Sequence, residues 1–416
     1  MQVQAVGLTD VGRKRAHNED TLLVREDLGL YLVADGMGGH AAGEVASETA
    51  AQAVVRYIEE RRSLLERFDE DEAGRDAVIR LVYEAINHAS SEVYGLAVGD
   101  QGRAGMGTTL TMMLVVGDKG VMGHVGDSRL YLHRGGRLHQ LSDDHSYVNE
   151  LVRRGLMTRE AAEDSPYANV ITRAVGIQST VQPDTLVFDV LPGDTYLLCS
   201  DGLSRYLEDE GELAQILAEE DLGGLPQRLV DLANERGGKD NVTALTVRVD
   251  DDAEEAERST EVNLRVDTLR DISLFEHLTM KELLSVMDVL RSESTDEGEV
   301  IIREGESGDS LYIVLSGRLE VLRGDKVVAE LERGTHVGEM ALLNSRPRSA
   351  TVRTLNPTRL LVMTRQAFTE LVRREPDLGV KLLWTFAQVL SHRLDETTLM
   401  SSDVATMELP ASLFQD

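Results

Sequence analysis

The chain has 416 residues, length for two or three domains at roughly 150 residues each. Its 43 Lys and Arg against 73 Asp and Glu leave a formal charge of −30, which argues against nucleic acid or anionic lipid as a partner, and its one Cys excludes an intramolecular disulfide and a cysteine-type zinc site. No apolar run approaches the roughly 18 residues of a membrane span and residues 1–15 lack a signal core, so the expectation is a cytoplasmic protein with no membrane partner.

In chain order, apolar runs predict strands at Leu30–Ala34, Thr109–Val116, Val121–Val125, Leu130–His133, Leu186–Val190, Thr195–Cys199 and Val242–Val249. Between the first two, apolar residues recur at i, i+3 and i+4. Residues 42–68 do so through Val45, Thr49, Ala53 and Val54, and residues 77–97 through Val78, Val82, Ala85 and Ile86. Two long helices are expected there. Strand runs grouped apart from helix pairs imply an α+β fold, with antiparallel sheets and helices packed outside.

The polar stretch at 251–268 is charged and free of aromatics. It reads as an extended, self-repelling linker between a domain of residues 1–250 and one of residues 269–396. Beyond it come a helical stretch at 279–290 and short strands at Glu299–Arg303, Ser310–Leu315, Arg318–Arg323 and Lys326–Leu331, punctuated by glycines. That pattern predicts a small β-barrel or jelly roll. A helical pattern at 366–396 follows, and residues 397–416 read as a disordered tail.

Two apolar strands run into Asp-Gly, at Asp35-Gly36 and Asp201-Gly202. Asp240 opens the strand at Val242, Asp127 lies between two strands, and Glu19 and Asp20 precede the run at Leu22. Carboxylates at strand ends, beside exposed backbone carbonyls, suit Mg²⁺ or Mn²⁺ better than zinc. Any one Asp-Gly is equally a turn pair, so the pattern rests on the acids taken together.

The block Arg15-Ala-His-Asn-Glu-Asp20 is followed by Ala34-Asp35-Gly36-Met-Gly-Gly-His40-Ala-Ala-Gly43, Gly107-Thr-Thr109, Gly126-Asp-Ser-Arg129, Cys199-Ser-Asp201-Gly-Leu-Ser204 and Lys239-Asp-Asn-Val-Thr243. This ordered set, over about residues 1–250, resembles the bacterial branch of the metal-dependent type 2C Ser/Thr protein phosphatases. The resemblance implies an α/β-β/α four-layer sandwich that hydrolyses phosphoserine and phosphothreonine in the target of a Ser/Thr kinase. Asp35 would bridge two Mn²⁺ or Mg²⁺ ions, with the Gly36 carbonyl completing one and Asp201 and Asp240 holding the other. Glu19 and Asp20 would act near them through water. Arg15 would clamp the substrate phosphate, and His40 would protonate the leaving oxygen. Water activated by the cations is the implied nucleophile, so Cys199, in a strand pattern, is expected to be a buried small hydrophobe. Asp127 would help to hold a weaker third metal, together with an Asp four residues after Asp201. Arg205 stands at that position instead. The polar stretch Ser142–Ala174 corresponds to a flap over the site.

Residues 338–351 read Gly-Glu-Met-Ala-Leu-Leu-Asn-Ser-Arg-Pro-Arg-Ser-Ala-Thr. They resemble the phosphate-binding cassette of cyclic-nucleotide-binding domains, and the resemblance covers about residues 269–395. It implies that backbone groups of Gly338, Glu339, Met340 and Ala341 face the cyclic phosphate, that Arg348 neutralises it and that Glu339 accepts the ribose hydroxyl. Ser349 favours cAMP over cGMP, and Trp384, Phe386 and Leu390 are candidates for a lid over the base. The expected function is a phosphatase regulated by cyclic nucleotide. The alternative is a weak or inactive phosphatase fold serving as a nucleotide receptor or interaction module. A transcription regulator is disfavoured, because only a short acidic segment follows the final helix.

Overall fold

The computed structural model describes residues 1–38, 42–68, 72–163, 165–207, 209–250 and 256–405. The chain divides into two units, Met1–Ser259 and Thr260–Asp416.

In chain order the first unit holds β1 (Val3–Asp10), β2 (Asp20–Arg25), β3 (Leu30–Met37), α1 (Ala42–Glu59), α2 (Glu72–Gly99), β4 (Gly107–Thr108), β5 (Leu110–Val116), β6 (Lys119–Val125), β7 (Arg129–Arg134) and β8 (Arg137–Gln140). It continues with α3 (Tyr147–Arg153), α4 (Arg159–Glu163), β9 (Asp184–Asp189), β10 (Thr195–Cys199), α5 (Asp201–Ser204), α6 (Glu210–Leu217), α7 (Leu225–Glu235) and β11 (Val242–Val249). One antiparallel sheet has the order β1-β11-β10-β7-β8, and the other the order β2-β3-β5-β6-β9 with β4 beside β3. Strands β2 and β3 face β1, β10 and β11 across the middle of the unit.

The outer layers follow from helix periodicity. Ala46, Ala50, Val54 and Ile58 of α1, and Val78, Val82, Ile86 and Val93 of α2, are buried against Leu32, Met112 and Val121 of one sheet. Leu213 and Leu217 of α6, and Leu229 and Ala233 of α7, cover Leu197, Cys199 and Ala244 of the other. The result is the expected four-layer sandwich. The end of β7 carries a buried ion pair. Arg134 donates to both carboxylate oxygens of Asp194, from Nε at 2.8 Å and from Nη2 at 2.6 Å, and Asp194 also accepts from the Tyr196 hydroxyl and the Leu191 N–H.

A helix, α8 (Ala256–Arg270), occupies most of the stretch read as an extended linker. Val262, Val266 and Leu269 are buried at helical spacing, and Glu261 pairs with Arg265 one turn on. The surrounding charges mask that apolar stripe in the sequence. Residues 251–255 lie outside the described residues.

The second unit continues with α9 (Met280–Asp288), β12 (Arg291–Thr295), β13 (Val300–Ile302), β14 (Ser310–Ser316), β15 (Arg318–Arg323), β16 (Lys326–Glu332), β17 (His336–Val337), α10 (Met340–Leu343), β18 (Thr351–Thr354), β19 (Thr358–Thr364), α11 (Arg365–Arg374) and α12 (Pro376–Ala405). Two four-stranded antiparallel sheets, β12-β19-β14-β17 and β13-β18-β15-β16, enclose Ile302, Val314, Leu319, Val352 and Leu360. Leu269, Phe275, Leu283, Phe368, Leu378 and Phe386 pack the helices onto Leu311 and Leu361. The closing helical pattern is two helices, broken before Pro376, which lacks the N–H that a helix interior needs. Residues 397–405, read as part of a disordered tail, continue α12, and residues 406–416 lie outside the described residues.

Candidate active site

The acids gather where the two sheets of the first unit meet. Asp20 at the start of β2 is paired in register with Asp35 on β3. Asp201 opens α5 immediately after β10, and Asp240 stands two residues before β11. Asp127 lies in the turn between β6 and β7. Backbone crowding accounts for both Asp-Gly pairs. A Cβ on Gly36 would lie 2.1 Å from the Gly43 carbonyl oxygen, and one on Gly202 would lie 1.9 Å from the Asn241 carbonyl oxygen. Only glycine lets these strand ends approach so closely.

Hydroxyls and one amide hold the frame. The Asp35 N–H donates to Thr109 Oγ1 at 2.9 Å, the Thr108 hydroxyl donates to the Asp35 carbonyl at 2.9 Å, and Thr109 Oγ1 meets Ser128 Oγ at 2.7 Å beside Asp127. Asn241 accepts the Glu19 N–H at 2.8 Å and donates to the carbonyls of Val11 and His17, which fastens the loop that carries Arg15. Ser200 and Thr243 donate to Asp20 Oδ2 at 2.7 and 2.6 Å. The sequence shows Thr109, Ser128, Ser200, Asn241 and Thr243 inside the motifs. It does not show these pairings, which join residues far apart in the chain.

The electrostatics are those of crowded carboxylates. Burial, then the charges of Asp20, Asp201, Asp127 and Asp240, hold the Asp35 carboxyl well above the usual carboxylate range. Burial pushes Asp20 up to about 7, despite the Thr243 and Ser200 hydroxyls. Asp127 is pushed up to about 7 by burial and by Asp201 and Asp144, and Glu19 and Asp201 are raised chiefly by burial. Among the described residues no three His, Cys, Asp or Glu side chains stand arranged to hold a metal ion. Arg205 donates to Asp201 Oδ2, and Arg15 donates to Asp240 Oδ2 at 2.7 Å. Among the described residues, Asp20 Oδ1 and Asp201 Oδ1 are buried without a hydrogen-bond partner. Orphaned carboxylate oxygens amid mutually repelling acids suit a hard divalent cation.

The structure thus brings Arg15, Glu19, Asp20, Asp35, Gly36, Asp127, Asp201 and Asp240 to one place. His40 lies outside the described residues. Cys199 is fully buried, with its thiol pushed up to about 12 by burial, as a small hydrophobe would be. The flap stretch forms α3 and α4. His145 anchors it to the Asp127 turn, accepting the Gly126 N–H at 3.1 Å. A groove of about 1050 Å³ opens beside the acids at Gly202 and Asp240.

In the second unit Arg348 donates to the carbonyls of Ser310 at 2.9 Å and Gly338 at 3.4 Å. Glu339 is buried and precedes α10, which Met340 opens, and the Ala341 N–H donates to the Gly338 carbonyl at 3.0 Å. Ser349 is exposed beside Arg348. Phe386 is buried with its ring 5.7 Å from that of Phe368, which makes it part of the core seam, whereas Trp384 is 68% exposed. The Leu390 side chain lies outside the described residues.

The family model "Protein phosphatase 2C" matches residues 11–222. The chain belongs to the protein phosphatase 2C family. It is similar to the serine/threonine phosphatase stp of Listeria monocytogenes, 38% identical over 246 residues, which span 58% of this chain and 94% of that protein. Protein phosphatase PhpP of Streptococcus pneumoniae is 35% identical over 252 residues, 59% of this chain and 98% of that protein. Among solved structures, the Mycobacterium tuberculosis phosphatase PstP/Ppp matches with a TM-score of 0.53 and 35% identity over 60% of this chain and 99% of that one. The PstP catalytic domain in complex with two manganese ions matches at 0.51 and 36%, over 60% of this chain and 99% of that one. A second model, "Cyclic nucleotide-binding domain", matches residues 293–375. This phosphatase 2C family member therefore carries a cyclic-nucleotide-binding domain after its phosphatase domain, and it is a metal-dependent Ser/Thr protein phosphatase. No helix among the described residues is long and apolar enough to cross a membrane.

Proposed function

We propose that the chain removes phosphate from phosphoserine and phosphothreonine of cytoplasmic protein substrates, using two Mn²⁺ or Mg²⁺ ions, and that cyclic nucleotide bound by its second domain regulates this. The observation that carries the first part is the pair of orphaned carboxylate oxygens on Asp20 and Asp201, inside a cluster of acids that raise one another's pKa. Asp35, the Gly36 carbonyl, Asp201 and Asp240 are the residues that would hold the cations, with Glu19 and Asp20 behind them. Asp127 is the candidate for a weaker third site, where Arg205 competes for Asp201. Bound cations supply positive charge for the phosphoryl group and lower the pKa of water. Arg15, its side chain half exposed on Asp240, binds the phosphate oxygens through its planar fork. His40 delivers the proton to the departing side-chain oxygen.

For the regulatory part, the support is the family match over residues 293–375 and the adjacency of Arg348 and Gly338. Arg348 takes the cyclic phosphate, Glu339 the ribose, and Ser349 favours cAMP over cGMP. Trp384 and Leu390 remain the lid candidates. The test is phosphate release from a phosphothreonine peptide with Mn²⁺, with and without each nucleotide. Release that depends on Mn²⁺ and changes with cAMP supports the reading. No release overturns the enzyme assignment, and release insensitive to both nucleotides overturns the regulation.

A further inference from the structure

We propose that Lys239 selects substrates that carry an acidic side chain near the phosphorylated residue. The inference rests on the phosphatase reading and concerns the groove beside the acid cluster. That groove runs from Gly202 and Asp240 between the start of α6 and the uncharged loop residues Ser165, Ala168 and Asn169. A protein segment whose phosphorylated side chain reaches the acid cluster must lay its neighbouring residues along it.

Three cations line the groove: Arg205, Arg236 and Lys239. Two are committed. Arg205 holds Asp201, and Arg236 holds Glu212 at 2.7 and 2.8 Å as well as the Tyr206 carbonyl at 2.6 Å. Lys239 differs. Its backbone N–H donates to the Tyr206 hydroxyl at 3.2 Å, which fixes the loop, but its side chain is exposed and its ammonium has no carboxylate partner among the described residues.

The carboxylates of the groove are also engaged. Glu212 serves Arg236, and Asp240 accepts from Arg15. Asp209 caps α6, accepting the N–H groups of Gly211 at 2.8 Å and Glu212 at 3.2 Å. Among the described residues of the groove, Lys239 is therefore the cation with no carboxylate partner, in a chain whose net charge of −30 otherwise repels acidic partners. The residue adjoins Asp240 in sequence, so its long side chain works close to the phosphoryl position. Along an extended peptide, residues advance by roughly 3.3 Å each, so its reach corresponds to the second or third residue from the phosphorylated one.

The experiment uses the full chain with Mn²⁺ and phosphothreonine peptides that differ only by Asp, Asn or Lys at the second or third residue on either side. The expected result is a kcat/KM about two- to fivefold higher for Asp than for Asn at one or more of these positions, chiefly through KM. The preference disappears in Lys239→Gln and turns toward the Lys peptide in Lys239→Glu. A preference that persists in Lys239→Gln overturns the assignment to Lys239. If wild type hydrolyses p-nitrophenyl phosphate and all the peptides without regard to charge, the selectivity is refuted and the phosphatase reading stands. If it hydrolyses none of these, that reading fails and this inference fails with it.

Discussion

Arg205 holds the Oδ2 of Asp201, one helical turn before it, while Oδ1 of the same carboxylate is buried without a hydrogen-bond partner among the described residues. A guanidinium therefore competes with any divalent cation for a carboxylate at the centre of the acid cluster. The same arginine also lowers the pKa of Asp127, against burial and against Asp201 and Asp144, so its field covers both acids.

Arg205→Ala removes that competitor. Calorimetric titration of metal-free protein with Mn²⁺ should show binding about two- to fivefold tighter than in wild type, the size expected for a partly exposed ion pair. Superimposable titrations would mean that Arg205 does not compete for the site.

Asp35→Asn should lower phosphatase activity by more than about a hundredfold, since even residues behind metal ligands commonly cost tenfold to a hundredfold. Its effect on stability runs the other way. The raised pKa of Asp35 means that its contribution to stability is fully present below the unfolded value of about 3.9 and is lost as pH rises through the folded value. Metal-free Asp35→Asn should thus melt above metal-free wild type at pH 8, with the gap closing toward pH 5. A variant that melts lower at pH 8 would contradict the crowding of uncompensated carboxylates.

Much of this architecture is legible in the sequence, and the exceptions have physical reasons. Thr195–Cys199, Val242–Val249 and Arg318–Arg323 stand where their apolar runs place them, because turn residues bound them on both sides. Strand β1 escapes notice because Gln4, Gly7 and Thr9 interrupt its apolar residues, and β8 because only Leu138 in it is apolar. Helix α8 is hidden by its charges, and Pro376 divides what reads as one helical pattern. The acids are legible as Asp-Gly strand ends. Their supports are not: Ser200 and Thr243 reach Asp20 across 180 and 223 residues respectively, contacts that only sheet packing creates.

Asp194→Ala leaves Arg134 charged in a pocket where its side chain is 7% exposed. Loss of one partner from a buried pair costs about 3–5 kcal/mol, because the remaining charge has no compensation. Urea unfolding followed in the first unit should show a loss of that size. A loss below about 1 kcal/mol would mean that the pair behaves like a surface one.

Arg348→Ala should abolish cyclic-nucleotide binding to the full chain, measured by calorimetry, while phosphatase activity without nucleotide is kept. The guanidinium adjoins the Gly338 turn, where it can neutralise a cyclic phosphate. Retained binding in the variant would move the nucleotide elsewhere or remove it from the account.

The central claim, that the acid cluster is a divalent-metal phosphatase centre, is tested most directly by phosphate release from a phosphothreonine peptide by the full chain, first stripped with chelator and then titrated with Mn²⁺. The account predicts no release from stripped protein, release restored by Mn²⁺, and none restored in Asp201→Asn. Release that survives chelation, or full turnover in Asp201→Asn, would contradict it.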